Sequence, residues 1–419
     1  MGRRQRARAR ARNSVTEHED SENASNFIDL CKHLGSFGWS NETRLVVKHF
    51  PETGRGLCSK NFIPENGVLI RIPFDALITL KTLEEDDVFR NFMQPIIDNL
   101  KKQVDFQVLL SIYILFHKHL ELSPHKAYID SIPPEFTNPF FCSKAELMFV
   151  PDNILQSILA QNEAIKSGYN LFKRSFDSFK CECCGGSFEE IFKLSDFKWI
   201  YFAINSRCVY VNPDAFKEIL TNTIFPPLLN NAPNLALAPL LDLLNHSDSA
   251  QTCMNLSIPI NEIKQTKDKG IPIHYELITK VEYRKYEQVF ISYDKHPNQK
   301  LLIEYGFFIP DNKHEIFYFT MSDIEAFTSS GKNRHRIFHK NKFKTLREHN
   351  FEAQMFVHPI EGFSHNLLVV LYILFKEASH FPNNIKQVAF GSQISLSCVY
   401  NEAMSLLHFK IVEYENIVK

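Results

Sequence analysis

The chain has 419 residues, enough for two or three domains of ordinary size. Basic and acidic residues nearly cancel, 47 against 48, which excludes a protein that binds nucleic acid through its overall charge. Hydrophobic residues make up 44% of the chain and phenylalanine alone numbers 37, which predicts a large core. The longest apolar runs, 108–116 and 367–375, are well short of the roughly 20 residues that a membrane helix needs, so we expect no membrane partner.

An arginine-rich arm opens the chain. Six arginines lie within residues 1–12, and an acidic and polar segment follows at 14–26. The arm contains too little apolar surface to fold by itself. It is typical either of a tail that enters the nucleus or contacts nucleic acid, or of a solvated tail, and both interpretations stay open. We therefore expect a disordered arm over 1–26, a distribution between nucleus and cytoplasm, and no further nucleic-acid site.

Two strands are predicted where the folded part begins, at 45–47 and 69–73. Between them, Gly54, Arg55 and Gly56 form a turn whose glycines allow the backbone to approach a ligand closely. This turn is not a phosphate-binding loop, because no Gly-Lys-Ser/Thr follows it.

The next part, about 84–225, is predicted to be helical, because apolar residues recur along it at helical spacing. A cysteine-rich loop interrupts it. Cys181 and Cys184 have the spacing of half a zinc site, but no second pair of cysteines appears, so no metal is predicted. The other cysteines are mostly scattered singly and nothing resembles a secretory signal, which predicts free thiols in a reducing intracellular compartment.

An apolar run that contains four leucines between 240 and 244 ends abruptly at Asn245 and His246. The leucines are large enough to anchor the segment in a core. A buried anchor that stops at an amide and an imidazole presents fixed donors and acceptors at a pocket wall. The alternative is a helix end, with Asn245 as its cap and His246 facing water.

The sequence after this run predicts three strands, at 254–260, 273–280 and 287–293. The last of them delivers Tyr293 at its end. A polar turn is predicted at 266–270, and from 322 to 419 the pattern is helical.

Four segments, in this order, resemble those of the SET-domain methyltransferases. They are Gly54-Arg55-Gly56, Asn205-Ser206-Arg207, Asp242 through Asn245-His246-Ser247, and Tyr293 followed by Glu304-Tyr305-Gly306-Phe307. The chain resembles most the branch in which helices interrupt the SET domain and a helical domain follows, as in Rubisco large-subunit methyltransferase. This implies an α+β fold of small β-sheets around a threaded crossing. It further implies a SET domain over 27–310, a helical insertion at about 84–225, and an all-α substrate-binding domain over 311–419.

The resemblance also implies a site for S-adenosyl-L-methionine. The residues implied to bind this cofactor are Gly54, Arg55, Gly56, Arg207, Asp242, Asn245, His246, Tyr293, Gly306 and Phe307. Tyr293 matches the catalytic tyrosine, whose hydroxyl would orient the acceptor amine and stay protonated, given a reference pKa near 10.

The implied reaction is N-methylation of a lysine in a protein substrate, with a histone tail as one candidate. A relative in the same branch methylates a protein histidine, so the acceptor stays open. The alternative is a binding module that keeps the fold and recognises a partner peptide without catalysis.

Two departures from the family pattern matter. The family usually has glycine after the catalytic tyrosine, whereas this chain has Asp294. Aspartate tolerates left-handed backbone better than most residues, so we expect the turn to survive. Its carboxylate would then lie near the mouth of the narrow channel into which the methyl group of the cofactor points. The cysteine-rich zinc segment that follows the tyrosine in many SET enzymes is absent, since only Cys398 lies beyond Tyr293. We expect the helical C-terminal domain to take the substrate-docking role instead.

Overall fold

The structure is a computed structural model, which describes residues 25–99, 103–220, 222–330, 340–348, 351, 353–375 and 396–418. Residues 1–24, which include the arginine arm, lie outside the described residues, so the predictions made for them stay predictions. The predicted disordered arm extended too far, since Ser25 and Asn26 already belong to a helix. The described strands are β1 (Leu45–Phe50), β2 (Gly54–Ser59), β3 (Val68–Pro73), β4 (Cys208–Tyr210), β5 (Leu235–Leu237), β6 (Asn245–His246), β7 (Thr252–Leu256), β8 (His274–Thr279), β9 (Gln288–Ile291), β10 (Phe317–Tyr318), β11 (Phe356–His358) and β12 (Gly362–Phe363).

Helices alternate with these strands. They are α1 (25–36), α2 (Leu80–Glu85), α3 (Asp87–Asn99), α4 (Phe106–His119), α5 (Lys126–Ile129), α6 (Lys144–Leu147), α7 (Asp152–Ser175), α8 (Phe188–Ile191), α9 (Leu194–Arg207), α10 (Asp214–Ile219), α11 (Ile263–Asp268), α12 (Asn298–Lys300), α13 (Met321–Ser329), α14 (Lys340–Glu348), α15 (His365–Phe375) and α16 (Tyr400–Val418). None of the described helices is both long enough and apolar enough to cross a bilayer.

The described chain divides into two compact units. The first contains residues up to Ser143, together with Pro151–Lys295 and Ile303–Gly306, and the second contains Lys144–Val150, His296–Leu302 and Phe307 onward. The sequence-based division at 310 did not separate the two short segments of the second unit. In that unit the Asn298 side-chain amide exchanges hydrogen bonds with the backbone of Ile309, which ties one of these segments to the rest.

The first unit contains small β-sheets, in the orders β1-β2-β9-β6, β3-β8-β7 and β4-β5. The predicted strands near 45–47, 69–73, 254–260 and 273–280 are confirmed in type, with shifted ends. In β8 every second residue is buried, as expected of a strand with one face on the core. The polar turn predicted at 266–270 is wrong, because α11 covers most of it, and so short a helical turn has no clear sequence period.

The leucine anchor before Asn245 is confirmed. Leu240, Leu241 and Leu244 are almost completely buried. A short 3₁₀ turn, Leu241–Leu243, leads directly into β6, so the alternative of a helix cap at Asn245 is wrong. The strand β6 pairs in parallel with β9, from more than forty residues later, and it forms the edge of its sheet. Parallel pairing across such a distance in sequence brings the two predicted segments together.

A helical insertion, α2 through α10, lies between β3 and β5 and has a core of aromatic rings. Phe92 stacks on Phe176 with ring centroids 4.7 Å apart, and Phe176 stacks on Phe188 at 5.2 Å. The helix α4 is buried on nearly every face, which explains why its sequence is apolar without a clear stripe.

The prediction of an all-α C-terminal domain is wrong. The second unit holds a small antiparallel sheet in the order β10-β11-β12 beside its helices. These strands have two or three residues each, too few to show the alternation by which a strand is recognised in a sequence. The core of this unit is formed mainly by α15, whose residues from Leu367 to Leu371 are buried.

Candidate active site

The start of β2 lies close to the Asn245 side chain of β6, and the glycines of β2 explain why it can. Gly54 has a φ of +71°, a conformation that favours glycine. A Cβ atom at Gly56 would lie 2.7 Å from the side-chain amide of Asn245 and 2.7 Å from that of Gln288. The turn predicted at Gly54 through Gly56 is wrong in type, since all three residues belong to β2. Glycine is favoured at Gly54 by the backbone conformation and at Gly56 by the close approach of two side-chain amides.

Asn245 and His246 both hold together the region where β2, β6, β9 and Tyr293 meet, which we call the crossing. The Asn245 amide donates a hydrogen bond of 3.0 Å to the backbone oxygen of Arg55. The His246 Nδ1 accepts a hydrogen bond of 3.0 Å from the backbone N–H of Tyr293. Because Nδ1 is the acceptor, the ring proton of a neutral His246 is on Nε2, which faces Asp248 at 3.6 Å.

Tyr293 lies two residues beyond the end of β9, and its side chain turns back to the crossing. Its hydroxyl donates a hydrogen bond of 2.7 Å to the backbone oxygen of Leu244. The ring stacks on Tyr305 with centroids 5.0 Å apart and lies 5.2 Å from the ring of His246. Burial raises the pKa of Tyr293 well above its ordinary value, against the opposing effect of Arg207, so the phenol stays protonated.

Asp294 adopts a φ of +87°, so the turn expected at this position does form with aspartate in place of glycine. The side chain supports this turn locally. Its Oδ1 accepts a hydrogen bond of 2.8 Å from the backbone N–H of Lys295, while its own N–H donates to the Ser292 hydroxyl at 3.2 Å. Short side chains that accept such local bonds tolerate left-handed backbone.

A buried ion pair lies beside Tyr293. The Arg207 guanidinium donates to the Asp242 carboxylate at 2.9 Å, and the Asp242 side chain is fully buried. Tyr128 donates its hydroxyl proton to the same carboxylate oxygen at 3.0 Å. Burial alone would lower the pKa of Arg207, but the neighbouring carboxylate outweighs it and raises that pKa, so the arginine stays charged.

A second guanidinium, that of Arg55, faces this pair and donates to the Ser131 backbone oxygen at 2.9 Å. Burial and the like charge of Arg207 lower the pKa of Arg55 to about 10, although Asp242 opposes the shift. Two guanidinium groups thus lie close to the Asp242 carboxylate.

The segment that ends at Gly306 is held against the insertion. Gly306 has a φ of +80°, and a Cβ atom there would lie 2.5 Å from the Thr137 hydroxyl oxygen. That hydroxyl donates to the Gly306 backbone oxygen at 2.8 Å. The preceding turn is fixed by a hydrogen bond from the Asn205 amide to the Glu304 carboxylate.

The structure places all but one of the residues predicted to bind cofactor in the first unit. Hydrogen bonds link Asn245 to Arg55, His246 to Tyr293 and Arg207 to Asp242, whereas Gly306 contacts Thr137. The exception is Phe307, which is half-buried and belongs to the second unit. Sequence reasoning missed Tyr128, Ser131 and Thr137, which come from short segments of the insertion without any local motif. Tyr305 lies within one of the four family segments but was predicted to have no role, although a second tyrosine soon after Tyr293 was a usable signal.

The crossing fits S-adenosyl-L-methionine by the chemistry of its groups. Guanidinium groups such as those of Arg55 and Arg207 are suited to bind a carboxylate, such as that of the methionine part. Among the described residues, none donates a hydrogen bond to the buried Oδ1 of Asp242, and an ammonium group would satisfy it. The backbone of an edge strand such as β6 can bind the polar edge of a base in the way that it would pair with another strand.

Comparisons with known proteins find relatives by sequence and by structure. No family model matches the chain. SET domain-containing protein 4 of Mus musculus is 31% identical over 397 residues, which cover 94% of this chain and 82% of that protein. A ribosomal lysine N-methyltransferase of Schizosaccharomyces pombe is 26% identical over 70% of this chain and 63% of its own length.

Among solved structures, the SET domain of LSMT bound to lysine and AdoHcy superposes with a TM-score of 0.63 at 17% identity, covering 93% of this chain and 81% of that one. At this identity the likeness establishes the fold. The extended match to the mouse protein establishes the family. The chain therefore belongs to the SET-domain methyltransferases, in the branch that includes SET domain-containing protein 4 and Rubisco LSMT.

Proposed function

We propose that this chain transfers a methyl group from S-adenosyl-L-methionine to the side-chain nitrogen of a lysine in another protein. The observation that supports this most is the parallel pairing of β6 with β9. It sets the protonated phenol of Tyr293 on the Leu244 carbonyl and beside His246. Those residues are the tyrosine and the Asn-His pair that the family resemblance assigned to catalysis and cofactor binding.

The cofactor, when bound, supplies an electrophilic methyl group on a sulfonium. The residues proposed to hold it are the backbone of Gly54 through Gly56, the edge strand β6, and the charged group of Arg55, Arg207 and Asp242. These groups are fixed before binding, since Asn245 and Asp242 already make hydrogen bonds within the protein. Preformed contacts lower the entropy that must be lost when two reactants are aligned.

Tyr293 is proposed to position the acceptor amine. Its hydroxyl donates to Leu244, and a phenol oxygen can accept a hydrogen bond from an amine while it donates elsewhere. The amine must be neutral to attack, and a nearby positive charge lowers its pKa as any like charge does. We therefore assign no general base among the residues of the crossing.

The assignment of lysine is supported by the relatives. The protein of Schizosaccharomyces pombe is named for ribosomal lysine, and the SET domain of LSMT was solved with lysine. We propose a histone tail as one substrate to test, beside ribosomal and other proteins.

The deciding experiment is transfer of a radiolabelled methyl group from the cofactor to proteins of a whole-cell lysate, followed by mass spectrometry of the labelled band. Label on lysine, lost in Tyr293→Phe and kept in Tyr286→Phe, supports the proposal. Tyr286 is a suitable control because its exposed side chain belongs to the turn that precedes β9. Label on histidine would support methyl transfer from the cofactor but would show that the acceptor is histidine and not lysine.

A peptide-binding module without catalysis is the alternative, and the unusual Asp294 is the observation that favours it. Calorimetry separates the two functions. Binding of S-adenosyl-L-methionine with no transfer to any lysate protein would support the module, and so would an absence of binding. Asp294→Gly should then be assayed as well, since recovered transfer would identify the aspartate as the cause.

The proposed distribution between nucleus and cytoplasm depends on the arginine arm, residues 1–12. Deleting this arm should reduce the nuclear signal of the tagged full chain, and replacing its arginines by glutamine should do the same at constant length. An unchanged distribution would remove the argument for the nucleus.

A further inference from the structure

The cysteine loop between α7 and α8 comes together with a histidine from a distant part of the chain. Cys181, Cys183 and Cys184 lie in this loop, and His119 is the last residue of α4. The His119 Nε2 lies 3.4 Å from the sulfur of Cys181, 3.3 Å from that of Cys183 and 3.7 Å from that of Cys184. The four potential ligand atoms all lie within 4.8 Å of one another.

These distances match what a single small cation requires. With Zn–S bonds of about 2.3 Å and Zn–N bonds of about 2.0 Å, tetrahedral coordination places ligand atoms roughly 3.5–3.8 Å apart. The three sulfur-to-nitrogen distances deviate from this by a few tenths of an ångström. The Cys181 and Cys183 sulfurs, at 3.0 Å, would need to separate by roughly 0.8 Å to reach the spacing of two zinc-bound thiolates.

A disulfide does not account for the cluster. A disulfide bond is about 2.05 Å long, whereas all three cysteines carry free thiols and the nearest sulfurs are 3.0 Å apart. A hydrophobic role does not account for it either, because Cys183 and Cys184 are exposed. Three convergent thiols and one imidazole form a Cys₃His set, which is one of the standard donor sets of structural zinc.

The backbone of the loop is already arranged around the thiols. The N–H of Cys181 donates to the Gly186 oxygen at 2.9 Å, and the N–H of Gly185 donates to the Cys181 oxygen at 2.8 Å. The N–H of Gly186 also donates to the sulfur of Cys184 at 3.4 Å. Such hydrogen bonds to a sulfur support a thiolate ligand.

We propose that His119, Cys181, Cys183 and Cys184 bind one zinc ion, which joins the end of α4 to the loop between α7 and α8. Four protein ligands fill a tetrahedral shell, so the ion would be structural and would carry no open position for substrate. The site shares no residue with the crossing, and it lies before Tyr293 in the chain, unlike the zinc segment that follows the tyrosine in many SET enzymes. The inference therefore stands or falls separately from the proposed methyl transfer.

The test is the metal content of the full chain, purified under reducing conditions without a histidine tag and measured by elemental mass spectrometry. We expect one zinc per chain in the wild type, and loss of that zinc in Cys184→Ser and in His119→Ala. Cys398→Ser is the matched control, since Cys398 is another exposed thiol outside the cluster, and it should keep the metal.

Cobalt(II) titration of the zinc-stripped wild type covers the case in which the variants fail to fold. Saturation at one equivalent, with the intense visible bands of tetrahedral thiolate-bound cobalt and their displacement by Zn²⁺, would support the site. Removing the metal should lower the melting temperature, and zinc should restore it. A reduced wild-type chain that contains no zinc and takes up neither Zn²⁺ nor Co²⁺ would overturn the proposal, and so would an intact disulfide among these cysteines.

Discussion

The crossing and the aromatic half of the insertion are stabilised by different physics. The crossing comprises β2, β6, β9 and Tyr293 with the buried pair of Arg207 and Asp242. The aromatic half comprises α3, α4, α7, α8 and the cysteine loop between the last two. The first region buries charges that need directed partners, whereas the second packs rings whose contacts are largely non-directional.

This difference indicates which region serves a ligand. A buried ion pair is often no more stabilising than apolar residues of the same volume, so its presence calls for a reason other than folding. At the crossing the proposed reason is the cofactor, whose ammonium and carboxylate groups would complement the charges of Asp242, Arg207 and Arg55. The aromatic half also has buried polar groups on α4, His117 beside the Asp86 carboxylate and the Tyr113 hydroxyl beside His125, and each has a hydrogen-bond partner within the protein.

The largest expected effect comes from breaking the ion pair. Asp242→Ala should lower the free energy of unfolding by about 3–5 kcal/mol, because Arg207 would stay buried without its carboxylate. Denaturant titration without cofactor measures this. Asp214→Ala is the matched control and should change stability by less than about 1 kcal/mol, since its pair with Lys217 is mostly exposed. Equal losses of stability in the two variants would show that the buried pair at the crossing matters no more for folding than an exposed pair.

The next effect is on catalysis. Tyr293→Phe should reduce kcat by about 100-fold, or roughly 2.7 kcal/mol in activation free energy, while cofactor affinity changes little. The lost hydroxyl would no longer orient the amine or donate to Leu244. Steady-state kinetics with the labelled substrate, beside calorimetry, separates the two effects, and activity equal to that of Tyr286→Phe would show that Tyr293 is only a core residue.

Lowering the pH should destabilise the protein through His125, a histidine that is buried without a proton charge in the insertion. Burial and the nearby His117 and His33 lower the pKa of His125 to about 3, although Asp86 opposes this shift. Below the ordinary histidine pKa of about 6.5 the unfolded chain takes up a proton that the folded chain does not, so stability falls with pH through the window between 6.5 and 3.

From pH 7.5 to pH 5 the contribution of His125 should be a loss of about 2 kcal/mol. His125→Gln keeps a hydrogen-bonding group but cannot titrate, so denaturant titrations at the two pH values should show a smaller difference for this variant. His49→Gln, which changes an exposed histidine, should leave the pH dependence as in the wild type. An unchanged pH dependence in His125→Gln would show that other groups cause the acid sensitivity.

The smallest expected effect concerns the turn after Tyr293. Asp294→Gly should raise the free energy of unfolding by up to about 1 kcal/mol, because glycine adopts a φ of +87° without strain. Lys295→Gly, at a neighbouring residue without positive φ, should be neutral or destabilising. If Asp294→Gly destabilises the chain instead, the hydrogen bond from the Lys295 N–H to the aspartate matters more than the backbone strain.

Several features of the crossing were predictable because each depends on residues that are contiguous in the sequence. The leucine anchor, the Asn-His pair and the glycines of β2 each have a local physical reason that survives in the structure. The short strands of the second unit and the helical turn α11 were not predictable, because two to six residues do not establish a period. Tyr128 and Ser131 were missed for another reason, since nothing adjacent to either marks its contact with the charged group.

The cysteine cluster shows the same limit most directly. The sequence by itself determined the family, the composition of the core, the anchored Asn-His pair and half of a metal-binding pattern. Only the tertiary structure decided that His119 completes that pattern, and that β6 pairs with β9 to bring Tyr293 beside His246. Ligands and hydrogen-bond partners separated by forty residues or more are chosen by packing, because local periodicity and turn chemistry act over only a few residues.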